Sequence, residues 1–199
     1  MDKQELLKEL KQEGFSKKIL DAFAKIKRED FIPEEFKESA YENQPLPIGK
    51  GATISQPYTI AFMLELLELS DDLKILEIGS GSGYVLALMN ELARNSEIYG
   101  IEINKKVAQK SRNVLKDFKN IKIITGNGFL GLKKYAPYER ILISAAAEKM
   151  PEHLYSRLEE DGILVCPVKN SIFKIWKENG RIKTNESPGF VFVPLVGEE

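Results

Sequence analysis

Glu77 and the glycines that follow it have the spacing of a ligand-binding turn. An apolar run ends in Glu77, and glycines stand at every second position after it, at Gly79, Gly81 and Gly83. The residues after Gly83 are apolar enough to form a buried helix. A strand, a glycine turn and a helix in this order bring bare backbone N–H groups and a helix N-terminus close to a ligand. Glycine suits the turn because a Cβ would block either the positive φ angles or the approach of the ligand.

The glycine spacing argues against two common nucleotide-binding motifs. In the dinucleotide fingerprint G-x-G-x-x-G, the last glycine would fall on Tyr84. The phosphate-binding P-loop needs Gly-Lys-Ser/Thr, and the turn contains no lysine. The remaining pattern resembles the first motif of S-adenosylmethionine-dependent methyltransferases, in which Glu77 would meet the cationic methionine end of the cofactor. The turn alone leaves open a plain strand-to-helix connection in another α/β protein.

Glu102 is a second candidate ligand-binding carboxylate. It lies near the end of a predicted strand over residues 97–103, about 20 residues after the glycines. A carboxylate at this position can accept hydrogen bonds from both hydroxyls of a ribose. NAD and adenosyl ligands share that ribose, so Glu102 supports nucleoside binding without choosing between them. The alternative is a solvated carboxylate at a strand end.

Alternating apolar segments predict the elements that hold these residues. Two amphipathic helices are predicted within residues 1–30, and residues 41–58, punctuated by proline and glycine, are predicted to form an ordered loop. Strands and helices then alternate, which predicts a Rossmann-like, doubly wound α/β fold with a mainly parallel sheet. The strands are predicted at residues 73–78, 97–103, 121–125, 140–144, 162–168, 172–176 and 190–195. The last two are predicted to form an antiparallel hairpin at the sheet edge.

Four predicted strand ends converge on one rim of this sheet. Ligands of open α/β sheets bind outside the C-terminal strand ends, where the strand order reverses. The glycine turn, Glu102, Asn127 and residues 145–147 all follow strands at that rim. Asn127 could contact an adenine amino group through its side-chain oxygen, or it could be an ordinary turn asparagine.

The composition is that of a soluble globular protein. The chain has 199 residues, enough for one domain, with 43% apolar and 30% charged residues and a net charge of −1. This balance gives no drive toward nucleic acid or anionic membranes, and no apolar stretch is long enough to span a membrane. Cys166, the single cysteine, excludes an internal disulfide and a cysteine-rich metal site, and we expect no metal. The polar N-terminal residues lack a secretion signal, so we expect a cytoplasmic protein, and we expect a monomer.

The chain resembles the protein-L-isoaspartate O-methyltransferase family. The motifs Pro-Leu-Pro-Ile-Gly and Thr-Ile-Ser-Gln-Pro are the most specific part of the resemblance, because other methyltransferases with the glycine turn lack them. The matching residues are 40–42, 45–49, 51, 53–57, 76–84, 145–147, 165, 167–168, 192–195 and 197.

The resemblance implies a class I methyltransferase fold and an activity in protein repair. The methyl group of S-adenosylmethionine would be transferred to the free α-carboxylate of L-isoaspartyl residues in damaged proteins and peptides. It implies that Ser55 is the catalytic residue, next to the substrate carboxylate. The implied cofactor-binding residues are Glu77, Gly79, Ser80, Gly81, Ser82, Gly83, Glu102, Asn127, Gly128 and Ala145. The expected substrate-binding residues are Thr53, Ile54, Ser55, Val193, Pro194 and Leu195, several of which would present an extended backbone edge to a peptide.

This chemistry agrees with the residues available. A carboxylate with a pKa of about 3 to 4 is already ionised at pH 7, so no strong general base is needed. The single histidine, His153, is therefore expected on a helix surface. We expect one methyltransferase domain over residues 1–199, with N-terminal helices (1–35), a substrate loop (40–58), a cofactor-binding core (73–168) and a C-terminal hairpin (169–199).

Two other functions stay open at this point. Asn43, Ala52 and Asn127 depart from the family pattern, which raises the alternative of a catalytically inactive binding homologue. A methyltransferase of the same fold could instead act on RNA, since one segment is locally basic and Trp176 could stack on a base. The basic residues of that segment are Lys169, Lys174, Lys177, Arg181 and Lys183.

Overall fold

The computed structural model describes residues 1–192, and the predicted substrate-binding residues Val193, Pro194 and Leu195 lie outside the described part. The α-helices are α1 (Lys3–Gln12), α2 (Lys17–Lys25), α3 (Pro57–Leu66), α4 (Tyr84–Leu92) and α5 (Lys105–Val114). The strands are β1 (Leu46–Gly49), β2 (Ala52–Ile54), β3 (Lys74–Ile78), β4 (Glu97–Glu102), β5 (Ile121–Thr125), β6 (Tyr138–Ile143), β7 (Leu158–Val168), β8 (Ser171–Glu178) and β9 (Arg181–Pro188). Short 3₁₀ turns cover Arg28–Phe31, Glu34–Ser39, Lys133–Tyr135 and Glu152–Arg157.

The two predicted N-terminal helices are confirmed, and their ends follow from local capping. Asp2 accepts the backbone N–H groups of Gln4 and Glu5, and Glu5 bonds back to Asp2 in a capping box. Ser16 caps α2. Helix α2 packs against α3 and α4, so this N-terminal segment covers other helices of the domain.

The predicted, mainly parallel sheet is confirmed. Within residues 1–192, seven strands form the main sheet in the order β5-β4-β3-β6-β7-β8-β9. The strands from β5 to β7 are parallel, and β8 and β9 add as antiparallel neighbours. The order reverses on the two sides of β3, which the chain reaches first. The C-terminal ends of β3 and β6 therefore border the crevice in which such sheets bind ligands.

The two faces of the main sheet are covered differently. One apolar cluster contains core residues of all five described α-helices, together with alternate strand residues such as Ile75 and Leu142. The other cluster contains the neighbouring strand residues, such as Leu76 and Ile143, packed against irregular segments and 3₁₀ turns. His153, expected on a helix surface, lies in one of these 3₁₀ turns, Glu152–Arg157. None of the helices within residues 1–192 is both long and apolar enough to cross a bilayer.

The segment predicted as a loop over residues 41–58 contains a short hairpin, which corrects that prediction. Strands β1 and β2 pair antiparallel in a sheet of their own. Lys50 and Gly51, between them, have φ angles of 57° and 77°. Two left-handed residues in succession match the twist of a tight hairpin. The hairpin was not predicted because the prolines on both sides of it are typical of a loop.

The predicted C-terminal strand is also wrong over its described part. Residues 190–192 lie outside any strand, and the hairpin partner of β8 is β9. Strand β9 is polar and almost wholly exposed at the sheet edge, so it has no apolar alternation to detect. Phe190 instead packs its ring against those of Tyr58 and Phe62 of α3, with ring centroids 6.4 and 5.0 Å away.

Candidate active site

The glycine turn lies at the rim of the main sheet, where β3 and β6 end side by side. The backbone N–H of Ser144, just after β6, donates to the carbonyl of Ile78 at 2.9 Å. This bond brings Ser144 next to Glu77, the last polar residue of β3. Ser144 was not among the predicted site residues. Its position as a polar residue at the end of an apolar strand could have indicated it.

Glu77 is a buried carboxyl group with one free oxygen. Its side chain is 1% exposed, and Oε1 accepts the Ser144 hydroxyl at 2.7 Å. Oε2 has no hydrogen-bond partner within residues 1–192. Burial raises the pKa of Glu77 to about 8, against the lowering effect of the Ser144 hydrogen bond, and the nearby Glu102 adds to the increase. A buried carboxyl of this kind favours a cationic partner, which would compensate its charge.

The turn's own N–H groups are largely satisfied within the protein, which corrects the expectation of bare donors. Gly79 and Ser80 both donate to the carbonyl of Ile101, at 2.9 and 3.1 Å. Gly81 donates to Oε2 of Glu102 at 3.0 Å, and Asn104 donates to Oε1 at 2.8 Å. Each carboxylate oxygen of Glu102 keeps further acceptor capacity. The rim therefore offers carboxylates, rather than these N–H groups, to a ligand.

Gly79 and Gly83 are required for different reasons. Gly79 has a φ of +79°, and a Cβ built on it would meet nothing within 4 Å. Gly79 lines a narrow cavity beside Glu77 and leaves open space there. Gly83 has a φ of +85°, and its Cβ would come within 2.4 Å of Ser111 Oγ and 2.6 Å of Leu115 Cδ1. Gly83 therefore allows α5 to pack closely against the start of α4.

The β1–β2 hairpin brings Ser55 to the same rim. Ser55, directly after β2, lines one narrow cavity together with Glu77 and the glycine turn. The Ser55 hydroxyl has no hydrogen-bond partner in the part of the chain that the structure describes. The lining residues are Thr53, Ile54, Ser55, Ile60, Met63, Glu77, Gly79, Ser80, Gly81, Ser82, Tyr84, Val85, Leu142 and Ser144.

A second, wider cavity of about 390 Å³ opens at the same strand ends. Ile78 and Ile143 from the ends of β3 and β6 form part of its lining, with Ala147, Phe129 and His153. His153 is exposed in a 3₁₀ turn, and its Nε2 lies 2.6 Å from the carbonyl oxygen of Phe129. This cavity is large enough and apolar enough for a planar ring system.

Asn127 and Gly128 form the turn after β5. Oδ1 of Asn127 accepts the backbone N–H of Phe129 at 2.9 Å, as in an Asx turn. A Cβ on Gly128 would lie 2.7 Å from Ile101 and 2.8 Å from Ile78, so this glycine lets the turn approach β3 and β4.

Several predicted cofactor-binding residues lie next to the two cavities without lining them. Glu102 accepts the Gly81 N–H, Gly83 is the N-cap of α4, and half-buried Ala145 lies between Ser144 and Ala147. The predicted residues that line neither cavity are Gly83, Glu102, Asn127, Gly128 and Ala145. Cys166 is fully buried in β7, where burial raises the pKa of its thiol to about 12.

The Asn43 side chain forms hydrogen bonds to helices α1 and α3. Its Oδ1 accepts the N–H of Tyr58 at 2.9 Å, and its Nδ2 donates to Glu9 at 2.6 Å. The asparagine thus supplies an acceptor oxygen to the first turn of α3.

Comparison with known protein families gives a match over the full length of the chain. The model of the protein-L-isoaspartate(D-aspartate) O-methyltransferase family matches residues 1–199. The chain belongs to that family. A family member from Petrotoga mobilis, named protein-L-isoaspartate O-methyltransferase, is 45% identical, with 96% of this chain and 92% of the relative covered.

Solved structures of the family share the fold. One protein-L-isoaspartate O-methyltransferase structure has a TM-score of 0.90 at 24% identity, covering 98% of this chain and 66% of its own. This chain therefore spans about two thirds of that protein. A Plasmodium falciparum structure named for the same family, in complex with S-adenosyl-L-homocysteine, has a TM-score of 0.85 at 27% identity, with 98% of each chain covered.

Proposed function

We propose that this protein transfers the methyl group of S-adenosylmethionine to the free α-carboxylate of L-isoaspartyl residues in damaged proteins and peptides. The observation that carries the proposal is that Ser55 and Glu77 line the same cavity above the glycine turn. Family membership supports it over the full chain. In this proposal the segment 40–58 serves the acceptor and the segment 73–168 serves the methyl donor, within one domain over residues 1–199.

The residues at the rim fit S-adenosylmethionine. The unpartnered Oε2 of buried Glu77 suits the cationic amino group of the methionine end. The open space at Gly79 leaves room for a ligand where any side chain would intrude. Glu102 has acceptor capacity left for ribose hydroxyls, and the wider apolar cavity suits the adenine ring. The proposed donor-binding residues are Glu77, Gly79, Ser80, Gly81, Ser82, Gly83, Glu102, Asn127, Gly128 and Ala145.

The proposed chemistry makes modest demands on the chain's side chains. When bound, S-adenosylmethionine supplies a methyl group on a positively charged sulfur, and its transfer to an ionised carboxylate requires no proton acceptor. Ser55 donates a hydrogen bond that orients the acceptor carboxylate, and Thr53 and Ile54 border it. Burial of both groups in a narrow cavity excludes water and fixes their alignment. Val193, Pro194 and Leu195 remain proposed peptide contacts, outside the described residues.

The charge pairing within the basic segment favours this proposal over RNA methylation. Lys174 pairs with Glu68, Lys177 with Glu160, and Lys183 with Glu178. Trp176 packs against the apolar core and carries Lys174 over its ring, 5.8 Å from the centroid. Three of the five basic residues are thus paired with glutamates, which leaves little uncompensated charge to bind phosphates.

A methylation assay tests the proposal. The purified protein is incubated with radiolabelled methyl donor and either an isoaspartyl peptide or its normal aspartyl twin. We expect base-labile label on the isoaspartyl peptide alone. Label on RNA, or donor binding without transfer to any substrate, would contradict the proposal.

A variant pair tests the role of Ser55. We expect Ser55→Ala to reduce kcat more than tenfold while the affinity for S-adenosylhomocysteine stays within threefold. Ser70→Ala, which removes an exposed hydroxyl before β3, is the matched control and should leave kcat unchanged. An equal loss of donor binding in Ser55→Ala would show that Ser55 serves the fold of the site.

We also propose that the protein works as a monomer in the cytoplasm, without nucleic acid or membrane. The near-neutral net charge and the single, buried cysteine support this assignment. Light scattering on the purified protein and fractionation of cells that express it are the corresponding measurements.

A further inference from the structure

Arg28 is a fully buried cation at the centre of the N-terminal segment. It lies in the 3₁₀ turn Arg28–Phe31, and its exposure is 0%. Among the described residues no carboxylate forms an ion pair with it. Burial lowers the pKa of Arg28 to about 10, partly offset by Tyr84 and Tyr41, so the guanidinium is still charged at pH 7. Burying a charge without a counter-ion is costly, so a buried cation of this kind needs hydrogen-bond acceptors around it.

The guanidinium binds the two ends of the β1–β2 hairpin. Its Nη1 donates to the carbonyl of Ser55 at 3.0 Å, and its Nη2 donates to the carbonyl of Gln44 at 3.3 Å. Gln44 lies just before β1, and Ser55 lies just after β2. One planar fork therefore holds the chain where it enters and where it leaves the hairpin.

The same guanidinium lies over the ring of Tyr84, with its Cζ 5.5 Å from the ring centroid. Tyr84 is the first residue of α4 and follows the glycine turn directly. Tyr84 and Ser55 line the same cavity. Arg28 thus connects the hairpin to the helix that begins at the donor side of the crevice.

We propose that Arg28 is a positioning residue, which holds both ends of the β1–β2 hairpin so that Ser55 stays over the glycine turn. This inference rests on the proposed role of Ser55 in methyl transfer. Arg28 acts through the Ser55 backbone and touches neither reactant. Lysine cannot replace it, because an ammonium group lacks the rigid fork and the flat face that lies over Tyr84. A misplacement of about 1 Å in an aligned reaction can cost about a hundredfold in rate.

The test is a double-mutant cycle between Arg28→Lys and Ser55→Ala. In the wild-type background we expect Arg28→Lys to reduce kcat at least tenfold, with the affinity for S-adenosylhomocysteine within threefold. In the Ser55→Ala background the same change should alter kcat less than threefold, because the residue that it positions is already gone. A residue that only stabilises the fold would reduce kcat by the same factor in both backgrounds.

Arg140→Lys is the matched control. Arg140 also donates to backbone carbonyls, those of Glu68 and Glu139, but lies at the start of β6, away from the rim. It should leave kcat unchanged and show no coupling to Ser55→Ala. Equal effects of Arg28→Lys in both backgrounds, or a parallel loss of donor affinity, would overturn the inference.

A second variant keeps the inference testable if Arg28→Lys is not folded at the assay temperature. Arg28→Gln removes the buried charge and keeps an amide donor, and thermal unfolding identifies which variant is folded. Failure of both variants to fold would show that Arg28 serves the fold as a whole, which would also overturn the inference. If Ser55→Ala alone leaves kcat unchanged, the proposed function of Ser55 fails, and that result is distinct from a missing coupling to Arg28.

Discussion

Replacing Glu77 by glutamine should make the ligand-free protein less sensitive to rising pH. The unfolded chain ionises this carboxyl near its ordinary pKa of about 4.3. In the folded protein the pKa is raised to about 8, so the folded state binds more protons between these values. Stability from this group is therefore complete at low pH and is lost as the pH rises toward 8. Glutamine has no such titration, and its oxygen can still accept the Ser144 hydroxyl.

The size of the effect follows from the raised pKa. Each pH unit inside this interval costs up to about 1.4 kcal/mol, so the change from pH 5 to pH 7 costs the wild type up to about 3 kcal/mol. For a chain of this length, 1 kcal/mol corresponds to about 2–4 °C in Tm. The Tm of Glu77→Gln, relative to the wild type, should therefore rise by up to roughly 6–12 °C between pH 5 and pH 7.

Calorimetric unfolding of both proteins at pH 5, 6 and 7, without ligand, measures this difference. Titrating groups that do not interact with Glu77 are common to both proteins and cancel in the comparison. Glu38→Gln, which removes an exposed carboxylate from a 3₁₀ turn, is the control and should follow the wild type at every pH. A difference in Tm between Glu77→Gln and the wild type that does not change with pH would refute the reasoning.

Three further predictions concern the donor side of the crevice. First, the affinity for S-adenosylhomocysteine should increase as the pH rises from 5.5 to 7.5, by up to about tenfold per unit, because Glu77 must lose its proton to meet the ligand's ammonium group. Calorimetry in two buffers of different ionisation enthalpy should detect the released proton, and a pH-independent affinity with no proton release would contradict this. Second, Gly79→Ala should weaken donor binding more than tenfold, with a loss of only about 1–2 kcal/mol in stability from its positive φ. Gly83→Ala should cost about 2–5 kcal/mol, since the same strain is added to overlap with Ser111 and Leu115. Denaturant unfolding and donor titration separate the two variants, and equal stability losses would count against the packing argument. Third, Glu102→Gln should weaken donor binding at least tenfold and lower stability by about 1–2 kcal/mol, because two backbone N–H groups lose a charged acceptor. The same two measurements test it, and donor affinity equal to the wild type would remove Glu102 from the proposed site.

The fold of the core could be predicted from sequence where burial dictates the residue pattern. Strands β3 and β6 are buried and flanked by helices or turns, so their apolar runs stand out. Strand β9 has polar residues along an exposed edge, and no periodic signal marks it. The β1–β2 hairpin was not predicted, because its prolines and glycines are typical of a loop. The tight turn at Lys50 and Gly51 is recognised only from its positive φ angles.

The site could be predicted only in part, because the sequence does not show which polar groups already have partners. Glu77 and the glycines were identified by type and spacing. The engagement of the turn's N–H groups by Ile101 and Glu102 depends on contacts across the sheet. Arg28 stands in a run of charged residues, where its neighbours Lys27 and Glu29 look equally suited to solvent. Its burial follows from the tertiary path of the hairpin, which no local pattern contains.

The separate sheet formed by β1 and β2 has a consequence for how the two sides of the crevice fluctuate and diverge. Glu77 and Glu102 belong to interior strands of the main sheet, whose opening requires much of the domain to unfold. Within residues 1–192, β1 and β2 pair only with each other, so the hydrogen bonds between them can open locally, between the two ends that Arg28 holds, while the strands of the main sheet stay intact. Amide exchange should therefore be faster in β1 than in β3. Over evolutionary time, the hairpin can accept substitutions such as Ala52 without disturbing the strands that carry the carboxylates.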